Sequence, residues 1–168
     1  MKTVYKTPIF SLVEERIGNR TFVKLDSPDW VNVIPMNDKN EILFIRQFRH
    51  GTQELTLETP GGLIDPGDAS PEAAARRELL EETGYSSGEW EELGWVYANP
   101  AYQNNRCTFF LASNIKKTAE LKLDEDEKIH EMLFIPEKEV LRMLRNNQII
   151  HSIIVANLSS YFLKKGLV

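Results

Sequence analysis

Gly61-Gly62-Leu63-Ile64-Asp65-Pro66-Gly67-Asp68-Ala69-Ser70-Pro71-Glu72-Ala73-Ala74-Ala75-Arg76-Arg77-Glu78-Leu79-Leu80-Glu81-Glu82-Thr83-Gly84-Tyr85 is the stretch whose reading decides the fold. It opens on a glycine turn and runs into a strong helix signal. Ser70 is a good N-cap, Pro71 suits the first helical position, and Glu72 favours the positive end of the helix dipole. Ala73 to Glu82 has high helix propensity throughout, and Gly84 is a C-cap. At 3.6 residues per turn, Glu78, Glu81 and Glu82 fall within an arc of about 100°. Like charges so placed repel, and Arg77, four residues before Glu81, offsets part of that. Read from helix composition alone, such a face is more often a solvated surface than a hard-oxygen site for a divalent cation.

Outward from this helix, the first half of the chain reads as strands. Val4 to Val13 and Thr21 to Leu25 suggest a hairpin around Ile17-Gly18-Asn19-Arg20. Trp30 to Met36 and Glu41 to Phe48, separated by Asn37-Asp38-Lys39-Asn40, suggest a second. Leu55 to Glu58 is a short strand candidate. After the helix, Trp90 to Tyr97, Arg106 to Ala112 and Ile129 to Ile135 read as strands. A helix from Pro136 to about Arg145 follows, broken by Asn146-Asn147. A last helix runs from about Ile150 to Lys164, with an apolar stripe that includes Asn157. Strands, one central helix, more strands and then helices predict an α/β sandwich with a mixed sheet. The regular alternation of a doubly wound fold is missing, as are a Gly-x-Gly-x-x-Gly fingerprint and a Walker-type phosphate loop.

The chain has 168 residues, enough for one compact domain over residues 1–168. Its net charge of −5 argues against nucleic acid as the main partner. The single cysteine, Cys107, allows no intrachain disulfide and reads as a small core residue. Residues Met1 to Phe10 lack the apolar core of a secretory signal, and no run approaches the ~20 apolar residues of a membrane span. The expected compartment is the cytoplasm, with no membrane partner. His50, His130 and His151 are scattered and carry no assigned role.

Gly62 to Tyr85 resembles the Nudix box, whose pattern is Gly, five residues, Glu, seven residues, then Arg-Glu-aliphatic-x-Glu-Glu-x-Gly-aliphatic. Arg77 to Gly84 fits, with Tyr85 in the last aliphatic place. The acidic position holds Asp68, and eight residues, not seven, precede Arg77. The extra residue is expected in the loop before the helix, where it leaves the carboxylate face unrotated. The resemblance implies a Nudix-like α/β/α sandwich with a mixed β-sheet and an N-terminal antiparallel β extension over residues 1–28. It also implies a metal site of Glu78, Glu81, Glu82 and the Gly61 carbonyl, binding Mg2+ with Mn2+ as the alternative. Arg77 would hold a glutamate in place. Divalent cations on diphosphate oxygens neutralise charge, stabilise the leaving phosphate and activate water.

Ile45-Arg46-Gln47-Phe48-Arg49 and Glu58-Thr59-Pro60-Gly61-Gly62 are similar to the ADP-ribose pyrophosphatase branch of that family. The implied reaction is hydrolysis of the pyrophosphate of a nucleoside diphosphate sugar, ADP-ribose first, to a nucleoside monophosphate and a sugar phosphate. Arg49, with Arg46 on the same strand, becomes a candidate for the substrate phosphates. Its alternative reading is an exposed strand arginine. Trp30 is a candidate for stacking on the base, although a core role is the commoner fate of such a tryptophan. The loop Asn99 to Asn105 is a candidate lining for the sugar. Glu125 and Glu127, in the acidic run Asp124-Glu125-Asp126-Glu127, are the candidates for general base, and the choice between them stays open. The branch also implies a homodimer in which the N-terminal strands take part. Two other functions compete. One is hydrolysis of nucleoside triphosphates or dinucleoside polyphosphates, which shares the box. The other is a ligand-sensing domain that does not cleave, and retention of all three glutamates argues against it.

Overall fold

A computed structural model describes residues 1–122 and 129–167. In chain order the elements are β1 (Lys2–Lys6), β2 (Ser11–Ile17), β3 (Arg20–Asp26), β4 (Trp30–Pro35), β5 (Glu41–Arg49), β6 (Glu54–Glu58), α1 (Pro71–Thr83), β7 (Tyr85–Ser86), β8 (Glu89–Tyr97), β9 (Arg106–Ser113), β10 (Lys116–Lys117), β11 (Ile129–Pro136), α2 (Glu137–Arg145) and α3 (Ser152–Lys164).

Two three-stranded sheets make the body. One has the order β4-β9-β8, with β4 parallel and β8 antiparallel to β9, and the other is an antiparallel β11-β5-β6. Successive strand residues face opposite sides, and β4 uses both. Val31 and Val33 pack with Leu43 of β5, Phe110 and Ala112 of β9, and Ala74, Ala75 and Leu79 of α1. Ile34 packs the other way, with Ile42 and Phe44 of β5, Val140 of α2, and Ile154, Leu158, Tyr161 and Phe162 of α3. Helices thus cover both faces, the α/β/α layering and mixed sheet that the sequence predicts. A separate antiparallel sheet, β1-β2-β3, forms the N-terminal extension. No described helix is long and apolar enough to cross a membrane.

Two expectations need correction. The run Val4 to Val13 is two strands, β1 and β2. Pro8 has no N–H to donate, and the Thr7 hydroxyl accepts the N–H groups of Ile9 and Phe10, turning the chain there. The proposed hairpin of Trp30 to Met36 with Glu41 to Phe48 is absent. These strands share one bridge, Met36 to Ile42, and then part into different sheets. Both edges of β4 are already taken. β9 pairs along one edge, while on the other Val31 donates to the Gly62 carbonyl at 2.9 Å and Val33 to that of Pro60 at 2.8 Å.

Candidate active site

α1 begins and ends where its sequence dictates. The Ser70 hydroxyl accepts from the Ala73 N–H at 3.1 Å, Pro71 opens the first turn, and Gly84 closes the helix at φ 73° with its N–H on the Leu80 carbonyl. Ala74, Ala75 and Leu79 anchor it to the sheet. Its inward side also carries two carboxylates, Glu78 at 8 % and Glu82 at 1 % exposure. Burying such groups is costly unless partners compensate them, so the partners define the site.

Arg77 is the chief partner. Its Nε and Nη2 donate to the two carboxylate oxygens of Asp68, at 3.2 and 2.9 Å, and Nη2 also to the Leu63 carbonyl at 2.9 Å. Nη1 donates to Glu78 Oε1 at 2.9 Å and to Glu81 Oε2 at 3.0 Å. All five N–H donors of the guanidinium are engaged. The hydrogen bond to Asp68 pushes the Arg77 pKa up, against the opposing pull of burial. In return Arg77 holds the Asp68 carboxyl below its ordinary value. Asp68, in the acidic position of the box, therefore has a structural place. It clamps Arg77, and its Oδ2 accepts the Asp65 N–H at 2.8 Å, within the loop before the helix.

The glycine turn lies directly against these carboxylates. A Cβ at Gly62 would fall 2.5 Å from Glu78 Oε1, so any other residue there must shift that carboxylate. Gly61 donates its N–H to Glu82 Oε2 at 2.9 Å. Behind the turn is a buried amide cluster. Asn32 of β4 donates from Nδ2 to the Thr59 and Pro60 carbonyls, at 2.8 and 3.1 Å. Its Oδ1 accepts from the Thr59 hydroxyl at 2.8 Å and from Asn157 Nδ2 of α3 at 2.6 Å. The sequence analysis assigns no role to Asn32, Thr59 or Asn157. The available signal was a lone amide in a β-branched strand and another in an apolar helix stripe.

Arg49 and Glu58 form a second buried-to-surface pair. Arg49 Nε and Nη2 donate to Glu58 Oε1 and Oε2 at 2.7 and 2.6 Å, and the Thr56 hydroxyl also donates to Oε1. Burial by itself would raise the Glu58 pKa, yet Arg49, Thr56 and the nearby His151 together hold it below the ordinary value. Burial pushes His151 down; its Nε2 stands 3.8 Å from Glu58 Oε2. The Arg49 side chain is 41 % exposed, so a buried carboxylate holds it at the surface. Arg46 points to the opposite side of β5, with Nε 3.3 Å from Glu131 of β11. Trp30 is partly buried and packs against Cys107, Phe109 and Ile153, on the α3 side. Cys107 is buried, and burial with the Asp29 charge pushes its thiol up to about 12. Glu125 and Glu127 lie outside the described residues.

The donors around α1 are hard oxygens, the set that suits Mg2+ or Mn2+. Among the described residues no three such side chains already converge as a closed cage. Arg77 spans Glu78 and Glu81, while Glu82 rests on the Gly61 N–H.

Comparison with known proteins bears on the family and the fold. The sequence model of the NUDIX domain matches residues 27–158. An ADP-ribose pyrophosphatase of Bacillus subtilis (strain 168) is 29 % identical over 161 residues, covering 88 % of this chain and 85 % of the relative. One from Mycobacterium tuberculosis is 27 % identical over 126 residues, covering 75 % of this chain and 61 % of the relative. A GDP-mannose pyrophosphatase of Salmonella paratyphi B is 34 % identical over 119 residues, covering 66 % and 61 %. The crystal structure of an ADP compounds hydrolase superposes with a TM-score of 0.81 at 25 % identity, covering 99 % of this chain and 94 % of that one.

Proposed function

This chain belongs to the Nudix family, and from that premise we propose that it hydrolyses the pyrophosphate bond of a nucleoside diphosphate sugar, with ADP-ribose the first candidate. The products are a nucleoside monophosphate and a sugar phosphate. The observation that carries the reading is the set of α1 carboxylates ordered by Arg77 against the Gly61-Gly62 turn. The relatives named for ADP-ribose and GDP-mannose support the substrate class.

Glu78, Glu81, Glu82 and the Gly61 carbonyl would hold a divalent cation, Mg2+ with Mn2+ as the alternative. The cation would neutralise diphosphate oxygens and lower the pKa of a bound water. Arg77 keeps two of the carboxylates from repelling each other and holds them in one arrangement. Arg49 supplies a planar cation for the substrate phosphates, and Glu58 fixes its orientation. Glu125 or Glu127 is the proposed base for the attacking water.

The N-terminal extension exposes Val4, Tyr5, Ile9, Phe22 and Val23, an apolar surface suited to a second copy of this chain in a homodimer. A single buried cysteine fits the cytoplasm.

The test is phosphate release after adding a phosphatase, across a panel of nucleotide sugars, nucleoside triphosphates and dinucleoside polyphosphates with Mg2+. Turnover of ADP-ribose or another nucleotide sugar is expected. Turnover restricted to triphosphates or polyphosphates would reject the substrate class.

A further inference from the structure

Asn157 sits on α3 among core residues and has no solvent exposure. Its neighbours on the same face, Ile154, Leu158 and Tyr161, pack into the apolar core. A buried amide there costs stability unless its bonds compensate, so what it binds matters. Nδ2 donates to Asn32 Oδ1 at 2.6 Å and to the Asn32 carbonyl at 3.3 Å. Turning the amide over would set oxygen against two acceptors, so its orientation is fixed. The Asn32 amide then binds both carbonyls of the Thr59-Pro60 segment, and the Thr59 hydroxyl donates back to Asn32.

These bonds converge on one backbone segment. The carbonyls of Pro60 and Gly62 both accept N–H groups from β4. In extended chain a residue's N–H and C=O face the same side, and successive residues alternate. The peptide groups of Gly61 therefore face away from β4 and toward α1, and its N–H is indeed on Glu82 Oε2. A Cβ at Gly61 would meet the Val31 carbonyl oxygen at 2.3 Å, so the segment is pressed onto β4 without slack.

We propose that Asn157, Asn32 and Thr59 are positioning residues that hold the Gly61 backbone in register with Glu82, and so set the geometry with which the chain takes up a divalent cation. Through them the C-terminal helix, on the far side of the sheet, determines the metal affinity of α1. This inference rests on the metal site of the proposed function.

The experiment is Mn2+ binding to the metal-free chain without substrate, read by electron paramagnetic resonance of the free ion. The chains are wild type, Thr59→Val, Asn157→Leu and Leu158→Ala, each with a melting curve. Thr59→Val keeps the shape and removes the hydroxyl; Leu158→Ala loosens the core beside Asn157 and leaves every bond of the cluster. Thr59→Val and Asn157→Leu are expected to weaken Mn2+ binding roughly tenfold or more, whereas Leu158→Ala lowers Tm and binds Mn2+ like wild type. Mn2+ affinity within about twofold of wild type in Thr59→Val and Asn157→Leu, or an equal loss in Leu158→Ala, would overturn the proposal. If Asn157→Leu does not fold, Thr59→Val decides. A wild-type chain that binds no Mn2+ sinks the metal site and the proposal together. Normal Mn2+ binding without hydrolysis of any nucleotide sugar sinks only the substrate assignment.

Discussion

Gly62→Ala is a one-carbon test of how tightly the carboxylates are placed. The new methyl group would lie 2.5 Å from Glu78 Oε1, 2.7 Å from Cδ and 2.9 Å from Oε2, so it meets the whole carboxylate. Reaching an ordinary contact requires a retreat of about 1 Å. Such a retreat of Glu78 breaks into the bonds of Arg77, whose Nη1 holds Oε1 at 2.9 Å and whose five guanidinium donors are all committed. The substitution must therefore displace Glu78 and disturb Arg77, or push the turn away from β4. A misplacement of about 1 Å at a reacting centre costs roughly 100-fold, so kcat/KM should fall by about that factor. Overpacking of this kind costs about 1–3 kcal/mol, and at about 2–4 °C per kcal/mol the Tm should drop by several degrees. Gly67→Ala is the control, since a Cβ there meets nothing within 4 Å. The assay is phosphatase-coupled release from ADP-ribose, with calorimetry on the same preparations. Wild-type kcat/KM and Tm in Gly62→Ala would refute the packing argument, as would equal losses in Gly67→Ala.

Two further outcomes follow from Arg49 and Glu58. The folded pKa of Glu58 lies below its unfolded value, so its contribution to stability is present above about 4.3 and is lost as pH falls through the folded pKa. Urea midpoints measured from pH 6 downward should fall more steeply for wild type than for Glu58→Gln; parallel curves would show that the pair contributes nothing. Arg49→Lys should raise the KM for ADP-ribose and not restore wild-type behaviour, because an ammonium cannot reproduce the two-pronged bond to Glu58. Unchanged steady-state kinetics would leave Arg49 as a surface strand residue.

Legibility in the sequence followed the range of the interactions. α1 was readable because its signals are local: Ser70 and Pro71 start it, the alanine run sustains it, and Gly84 ends it. The position of Glu78, Glu81 and Glu82 on one arc is a consequence of helix geometry. Strand partners were not readable in the same way. The β-branched run of β4 shows that it is buried, but its parallel partner β9 lies more than seventy residues away, and nothing local distinguishes that pairing from a hairpin with β5. The break at Pro8 was readable in principle, because a proline cannot donate within a ladder. The duty of Asp68 depended on a loop of uncertain spacing, and only the bonds from Arg77 reveal it. Asn157 was hidden by its surroundings: a single amide hardly alters an apolar periodicity, and its partner Asn32 is 125 residues away.

In the proposed function, α1 holds the metal on which hydrolysis depends. The most direct measurement is the kcat and KM of ADP-ribose hydrolysis for wild type and Glu82→Gln, each with Mg2+ and again after chelation. Dependence of wild-type turnover on the cation is expected, with kcat in Glu82→Gln collapsing while KM moves little. Hydrolysis that survives chelation, or wild-type kcat in Glu82→Gln, would contradict the account.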